Sequence, residues 1–259
     1  MSRRHLTFSC ENDTLVATLD EAPGATGLLI VSGGNEVRAG AWNGQALLAK
    51  RLAARGFPVL RFDRRGIGDS EGENRGFRHS APDIAAALAC FRAECPQIAR
   101  VVALGNCDAA SALMLGEGCG ADALVLTNPW IYDEEGEEEA AEAPPAALRA
   151  HYTRRLMNPA ALLRLVTGKV SPGALLRSLV AMTRKAAPTT LAGEIAAGLS
   201  SHPGPVRILL AGRDRTAQAF LAGWDKADPR LRLCAQASHS FVEPDAQAWL
   251  EEQVVEMLV

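Results

Sequence analysis

"RVVALGNCDAAS", Arg100 to Ser111, decides how the chain folds. The apolar run Val101–Leu104 reads as a buried strand and the alanine-rich stretch after Cys107 reads as a helix, so the backbone must turn sharply between them. Gly105, Cys107 and the small Ala109 stand where G-x-S-x-G puts its glycine, its nucleophile and its second small residue. The pattern predicts a strand-to-helix elbow that carries a thiol where a hydroxyl is expected. A helix N-terminus and a neighbouring imidazole favour the thiolate, the nucleophilic form of cysteine. Burial as a small hydrophobe is the ordinary fate of a free cysteine, and it suits Cys10, Cys90, Cys95, Cys119 and Cys234. The residues around Cys107 favour a reactive role there.

Outward from the elbow, short apolar runs alternate with helical patterns: "GLLIVSGG", "NGQALLAKRLAARG", "FPVLRFD", "APDIAAALACFRAEC", and later "ADALVLTN", "VRILLAG" and "LRLCAQA". Such alternation predicts an α/β protein with a mostly parallel central sheet and helices on both faces. The opening "HLTFSC" and "TLVATLDE", separated by "END", alternate as an antiparallel hairpin would. A length of 259 residues suits one domain of this class.

After "ALVLTNPW" the rhythm stops, and about 75 residues pass before Val206, too many for a structureless loop in a compact domain. An inserted helical cap is expected at about 131–203, opening on the acidic run "DEEGEEEAAEAPP". From Ala143 to Gly193 there are eight Lys or Arg residues and no Asp or Glu. They suit the polar faces of amphipathic helices, or a surface for an anionic carrier, a saccharide or a membrane.

The net charge of -3 gives no global reason to bind nucleic acid. The N-terminal stretch has no apolar core of a secretory signal, no run is long enough to span a bilayer, and the cysteines form no C-x-x-C pair. Reduced thiols and a cytoplasmic location are expected, with no metal set and no cofactor.

Acyl transfer needs a nucleophile, a base, a group that orients the base and donors for the oxyanion. His239, in "AQASHSF" beyond the last strand-like run, is placed to serve as base. The remaining histidines, His5, His79, His151 and His202, occupy no comparable position. Asp214, after "VRILLAGR", completes the order nucleophile, acid, base, although it also suits a cap for the helix starting near Thr216. The oxyanion donors are expected to be the backbone N–H of Asp108 and one from the Gly33-Gly34-Asn35 loop, Gly34 or else Asn35. "GDSEG", Gly68–Gly72, matches G-x-S-x-G literally, but no helical pattern begins at Ser70, so Ser70 is rejected.

These features, with "RFDRRGIGDSEG" (Arg61–Gly72) as a further specific match, make the chain resemble the α/β-hydrolase superfamily over nearly its whole length. "SGGNEVRAGAW", "GNCDAAS", "NPW" and "HYTRRL" together are similar to the first type of hydrolase associated with exosortase A systems. That resemblance implies cysteine at the elbow and a link to exopolysaccharide or PEP-CTERM sorting loci. The expected activity is hydrolysis or transfer of an acyl group from a small ester or thioester through a thioester on Cys107. The competing class is a non-catalytic protein of the same fold that binds through its basic cap. Dehalogenase-type chemistry would want an Asp at the elbow's centre, and Asp108 stands one position late.

Overall fold

The hairpin forms at the sheet's start: β1 (Arg3–Cys10) and β2 (Asp13–Asp20) pair antiparallel around Glu11 and Asn12. The computed structural model describes residues 2–132 and 190–259. Six more strands follow, β3 (Thr26–Val31), β4 (Val59–Phe62), β5 (Arg100–Asn106), β6 (Ala123–Thr127), β7 (Val206–Ala211) and β8 (Leu231–Cys234). The α-helices among the described residues are α1 (Gly44–Ala54), α2 (Ala81–Glu94), α3 (Asp108–Leu115), α4 (Thr190–Ser201), α5 (Arg215–Gly223) and α6 (Pro244–Leu258).

All eight strands join one sheet in the order β1-β2-β4-β3-β5-β6-β7-β8. Pairing is antiparallel as far as β2 with β4 and parallel from there to β8. The central strands are apolar throughout because both of their faces are covered. Leu29 and Val31 of β3, Val101 and Ala103 of β5, and Leu124 and Leu126 of β6 face a core shared with α2, α3, α4 and α5. Their neighbours Leu28, Ile30, Val102, Leu104, Ala123 and Val125 face α1 and α6. Phe62, Phe91 and Phe220 are fully buried, and each such side chain contributes about 1.5–3 kcal/mol by leaving water.

The chain leaves β3 through α1 on one face to reach β4, then crosses through α2 on the other face to β5 on the far side of β3. The direction of winding therefore reverses between β3 and β5, and a crevice opens there beyond the strands' carboxyl ends. The register puts Val31 opposite Gly105, so the loop after β3 and the elbow after β5 meet at that crevice.

Most of the cap expected at about 131–203, with all eight of its basic residues and His151, lies outside the described residues. The described part of that span is Ile131, Tyr132 and residues 190–203; these include α4, whose Leu191, Ile195 and Leu199 form a buried stripe in the core shared with α3.

Candidate active site

The elbow has the predicted shape. Cys107 sits between β5 and α3 with φ 59° and ψ −125°, a conformation that residues with a Cβ rarely adopt. Its N–H donates to the Thr127 carbonyl at 2.9 Å, and its own carbonyl receives the Ala110 N–H at 3.1 Å. Only a residue without a side chain fits at Gly105, because a Cβ there would stand 2.7 Å from the Ala109 carbonyl carbon. The side chain of Cys107 is partly exposed. Burial pushes the thiols of Cys10, Cys90 and Cys119 up to about 11, and it raises that of Cys95 as well. All six cysteines are free.

His239 lies in the turn after β8, and its Nδ1 is 3.0 Å from Asp214 Oδ2. The same Asp214 oxygen accepts the Ala217 N–H at 3.0 Å and so caps α5. One carboxylate oxygen thus meets the His239 ring and caps α5 at the same time. Burial opposes charging of His239, but the Asp214 hydrogen bond and charge, with a further upward effect from Cys107, outweigh it and push the imidazole up to about 10. The Asn106 amide stands 3.4 Å from Nε2, long for a hydrogen bond.

The histidine turn is held from three sides. Asn128, fully buried just after β6, donates to the His239 carbonyl at 2.9 Å and to Asn106 Oδ1 at 3.1 Å, and accepts the Ala211 N–H at 2.8 Å. It thereby ties the ends of β5, β6 and β7 to the turn. The Trp42 indole donates to the Ser240 carbonyl at 3.2 Å. Ser238 donates both its N–H and its hydroxyl to Glu243 Oε2, each at 3.1 Å.

Across the crevice, Gly34 takes φ +53°, which a glycine adopts freely. Its N–H is occupied: the Asp108 carboxylate accepts it through Oδ1 at 2.6 Å. Asp108 is the first residue of α3, so its own N–H has no partner within the helix. Asn35, the alternative donor, is exposed, and its side-chain oxygen accepts from the Asn74 amide at 3.0 Å.

The segment "FDRRGIGDS" braces this loop with three consecutive charged residues. Asp63, fully buried, accepts the Arg38 N–H at 2.5 Å and pairs with the Arg38 guanidinium. Arg64 reaches the Gly34 carbonyl and, at 3.5 Å, Asp108 Oδ2. Arg65 pairs with buried Asp83 at 2.6 Å through Nε. Ser70 donates to the Asp63 carbonyl at 2.7 Å and accepts the Val16 N–H at 2.9 Å, a structural arrangement that supports its rejection as a nucleophile.

Sequence reasoning missed Arg64, Asn106, Asn128, Trp42 and Glu36. Burial raises the Glu36 carboxyl, against the lowering effects of an Ala41 backbone hydrogen bond and of His239. Glu36 and Trp42 border a cavity of about 70 Å³ beside Asn106, Ser240 and Phe241. No group of three or more His, Cys, Asp or Glu residues suited to a metal occurs among the described residues. No helix among them is long and apolar enough to cross a membrane.

A strained strand-to-helix elbow, an Asp–His pair and a glycine loop gathered at the carboxyl edge of one doubly covered sheet give a hydrolase-type architecture. The chain belongs to the alpha/beta hydrolase family, whose model matches residues 28–252. An esterase of Pyrococcus furiosus is similar in structure, with a TM-score of 0.63 at 17% identity over 99% of this chain and 90% of that one. The alpha/beta hydrolase GrgF from Penicillium sp. sh18 gives 0.64 at 18% identity over 98% of this chain and 97% of its own. The thioesterase domain from the curacin biosynthetic pathway gives 0.57 at 14%, over 98% and 100%. At these identities the likenesses establish the fold. No curated protein sequence matches the chain.

Proposed function

We propose that the protein is an acyl hydrolase or acyltransferase whose nucleophile is Cys107. The observation that carries this reading is the juxtaposition of the strained elbow cysteine with a His239 that is paired to Asp214 and held protonated by its neighbours. An imidazolium beside a thiol favours the thiolate. The Cys107 sulfur would bond to the carbonyl carbon of an ester or thioester, placing negative charge on the carbonyl oxygen. The backbone N–H groups of Asp108 and Gly34 are the donors for that charge. As the tetrahedral species collapses, the bond to the leaving group breaks and His239 gives its proton to the departing oxygen or sulfur. The neutral imidazole then takes a proton from water or from an acceptor alcohol or amine, which attacks the thioester and releases Cys107.

A thioester reacts with amines as well as with water, so transfer to a saccharide or carrier accompanies hydrolysis in this reading. The esterase and thioesterase among the structural neighbours support ester and thioester substrates. The sequence resemblance to exosortase-associated hydrolases supports an acyl substrate linked to exopolysaccharide or PEP-CTERM loci. The basic stretch between Ala143 and Gly193 supports an anionic carrier, saccharide or membrane as partner, in a cytoplasmic setting.

The test is incubation with a panel of acyl esters and thioesters, followed by intact mass. An acyl adduct that Cys107→Ala abolishes is the expected result. An inert Cys107 across the panel would favour a binding protein on the same fold.

A further inference from the structure

The donor assigned to the loop side of the oxyanion site is already taken. Gly34 N–H points at Asp108 Oδ1 at 2.6 Å, where a substrate carbonyl oxygen would have to sit. A carboxylate left in that place would also repel the developing oxyanion, because like charges interact strongly in an enclosed site. The site as it stands is closed by its own side chain.

Arg64 shows where that side chain can go. Its guanidinium is buried, with its side chain 5% exposed against 15% for that of Asp108. Nη2 serves the Gly34 carbonyl and makes the long 3.5 Å contact with Asp108 Oδ2. Nη1 is buried and has no hydrogen-bond partner among the described residues. A buried donor without a partner is unfavourable, and a guanidinium presents its two terminal nitrogens as a fork that fits both oxygens of one carboxylate.

We propose that Asp108 is a displaceable stopper of the oxyanion loop and that Arg64 is the positioning residue that receives it. The loop opens when the Asp108 carboxylate leaves Gly34 and pairs with both Nη1 and Nη2. The proposal rests on the acyl-transfer reading above. In the closed state the empty donor is Arg64 Nη1. In the open state it is Gly34 N–H, and the substrate's carbonyl oxygen fills it. Asp108 turns about its own side-chain bonds, so its backbone N–H stays in place as the second donor. The arrangement makes the loop's availability depend on the substrate, with differential binding supplying the bias.

The test uses the full chain as wild type, Asp108→Ala, Arg64→Met and the double variant, with 4-nitrophenyl acetate as probe. Single-turnover acylation of Cys107 and the amide resonance of Gly34 are both followed. Arg64→Met should lower the second-order acylation rate constant about tenfold, mainly through a higher half-saturation, because Asp108 has lost its alternative site and the open state is rarer. Arg64→Lys keeps the charge but not the fork, and should show the same loss even if Arg64→Met folds poorly. Asp108→Ala should raise the rate constant and abolish the penalty of Arg64→Met. The Gly34 amide proton, far downfield in wild type and in Arg64→Met, should move upfield in Asp108→Ala.

An Arg64→Met penalty that persists in the Asp108→Ala background would mean that Arg64 only holds the loop, and would overturn the proposal. So would a Gly34 amide indifferent to Asp108→Ala. If wild-type Cys107 takes no acyl group while the amide responds as expected, it is the acyl-transfer reading that fails, and the opening step falls with it.

Discussion

One oxygen of Asp214 serves two partners, the Nδ1 of His239 and the backbone N–H of Ala217, each at 3.0 Å. The two roles separate on substitution. Asparagine keeps a capping oxygen but not the charge that raises His239, so both variants should lose the His239 contribution, and Asp214→Ala should cost about 1 kcal/mol more than Asp214→Asn because it also loses the cap. Both should slow acylation of Cys107, and by less than the ~10⁴-fold seen when a serine triad loses its acid, since a thiolate leans less on its base. Denaturant unfolding and single-turnover kinetics on the two variants measure the two effects.

The raised imidazole of His239 predicts a pH dependence of definite sign. Its folded value of about 10 lies above the ordinary histidine value of 6.5, so its contribution to stability is fully present below pH 6.5 and is lost as pH rises toward 10. Proton NMR of the ring should give a midpoint well above 6.5 in wild type and a lower one in Cys107→Ala or Asp214→Asn, which remove the partners that raise it. A midpoint near 6.5 in wild type would show that the ring does not meet those partners.

The elbow stores strain at Cys107, where φ is 59°. A non-glycine residue in such a region costs about 1–3 kcal/mol, and glycine removes that cost while loosening the unfolded chain slightly. Cys107→Gly should therefore be about 1 kcal/mol more stable than Cys107→Ala, although neither can be acylated. Equal midpoints in urea would mean that the elbow is unstrained.

Arg65 and Asp83 form a pair whose side chains are only 6% and 4% exposed. Removing the cation strands a buried carboxylate that also receives the Arg65 N–H at 2.9 Å. Arg65→Met should destabilise the fold by about 3–5 kcal/mol, and Arg65→Met with Asp83→Leu should recover much of that. Thermal melts of the single and double variants provide the comparison.

The fold was legible because its signals are local. Strand runs such as "RVVALGN" are apolar on both faces, and the elbow joins a strand to a helix within eight residues, Leu104 to Ser111. The placement of Cys107, His239 and Asp214 at one edge of the sheet was legible for the same reason: each follows a strand-like run, and parallel strands deliver their carboxyl ends to one edge. Asn128 was not legible, because its value lies in linking β5, β6 and β7 with the histidine turn, which is a property of the assembled sheet. Arg64 stood inside the quoted motif, yet nothing in its neighbours says that it turns toward Gly34 while Arg65 turns toward Asp83. The occupation of Gly34 by Asp108 spans 74 positions of chain and depends on a side-chain rotamer, which no spacing encodes.

The central claim is that Cys107 carries the acyl group. It is tested most directly by mixing the protein with an acyl thioester, quenching in acid and mapping the modified peptide by mass spectrometry. The adduct should sit on Cys107, be released by neutral hydroxylamine as thioesters are, form slowly in His239→Ala and be absent in Cys107→Ala. Acylation that survives Cys107→Ala, or that spreads over Cys10, Cys90, Cys95, Cys119 and Cys234, would contradict the account.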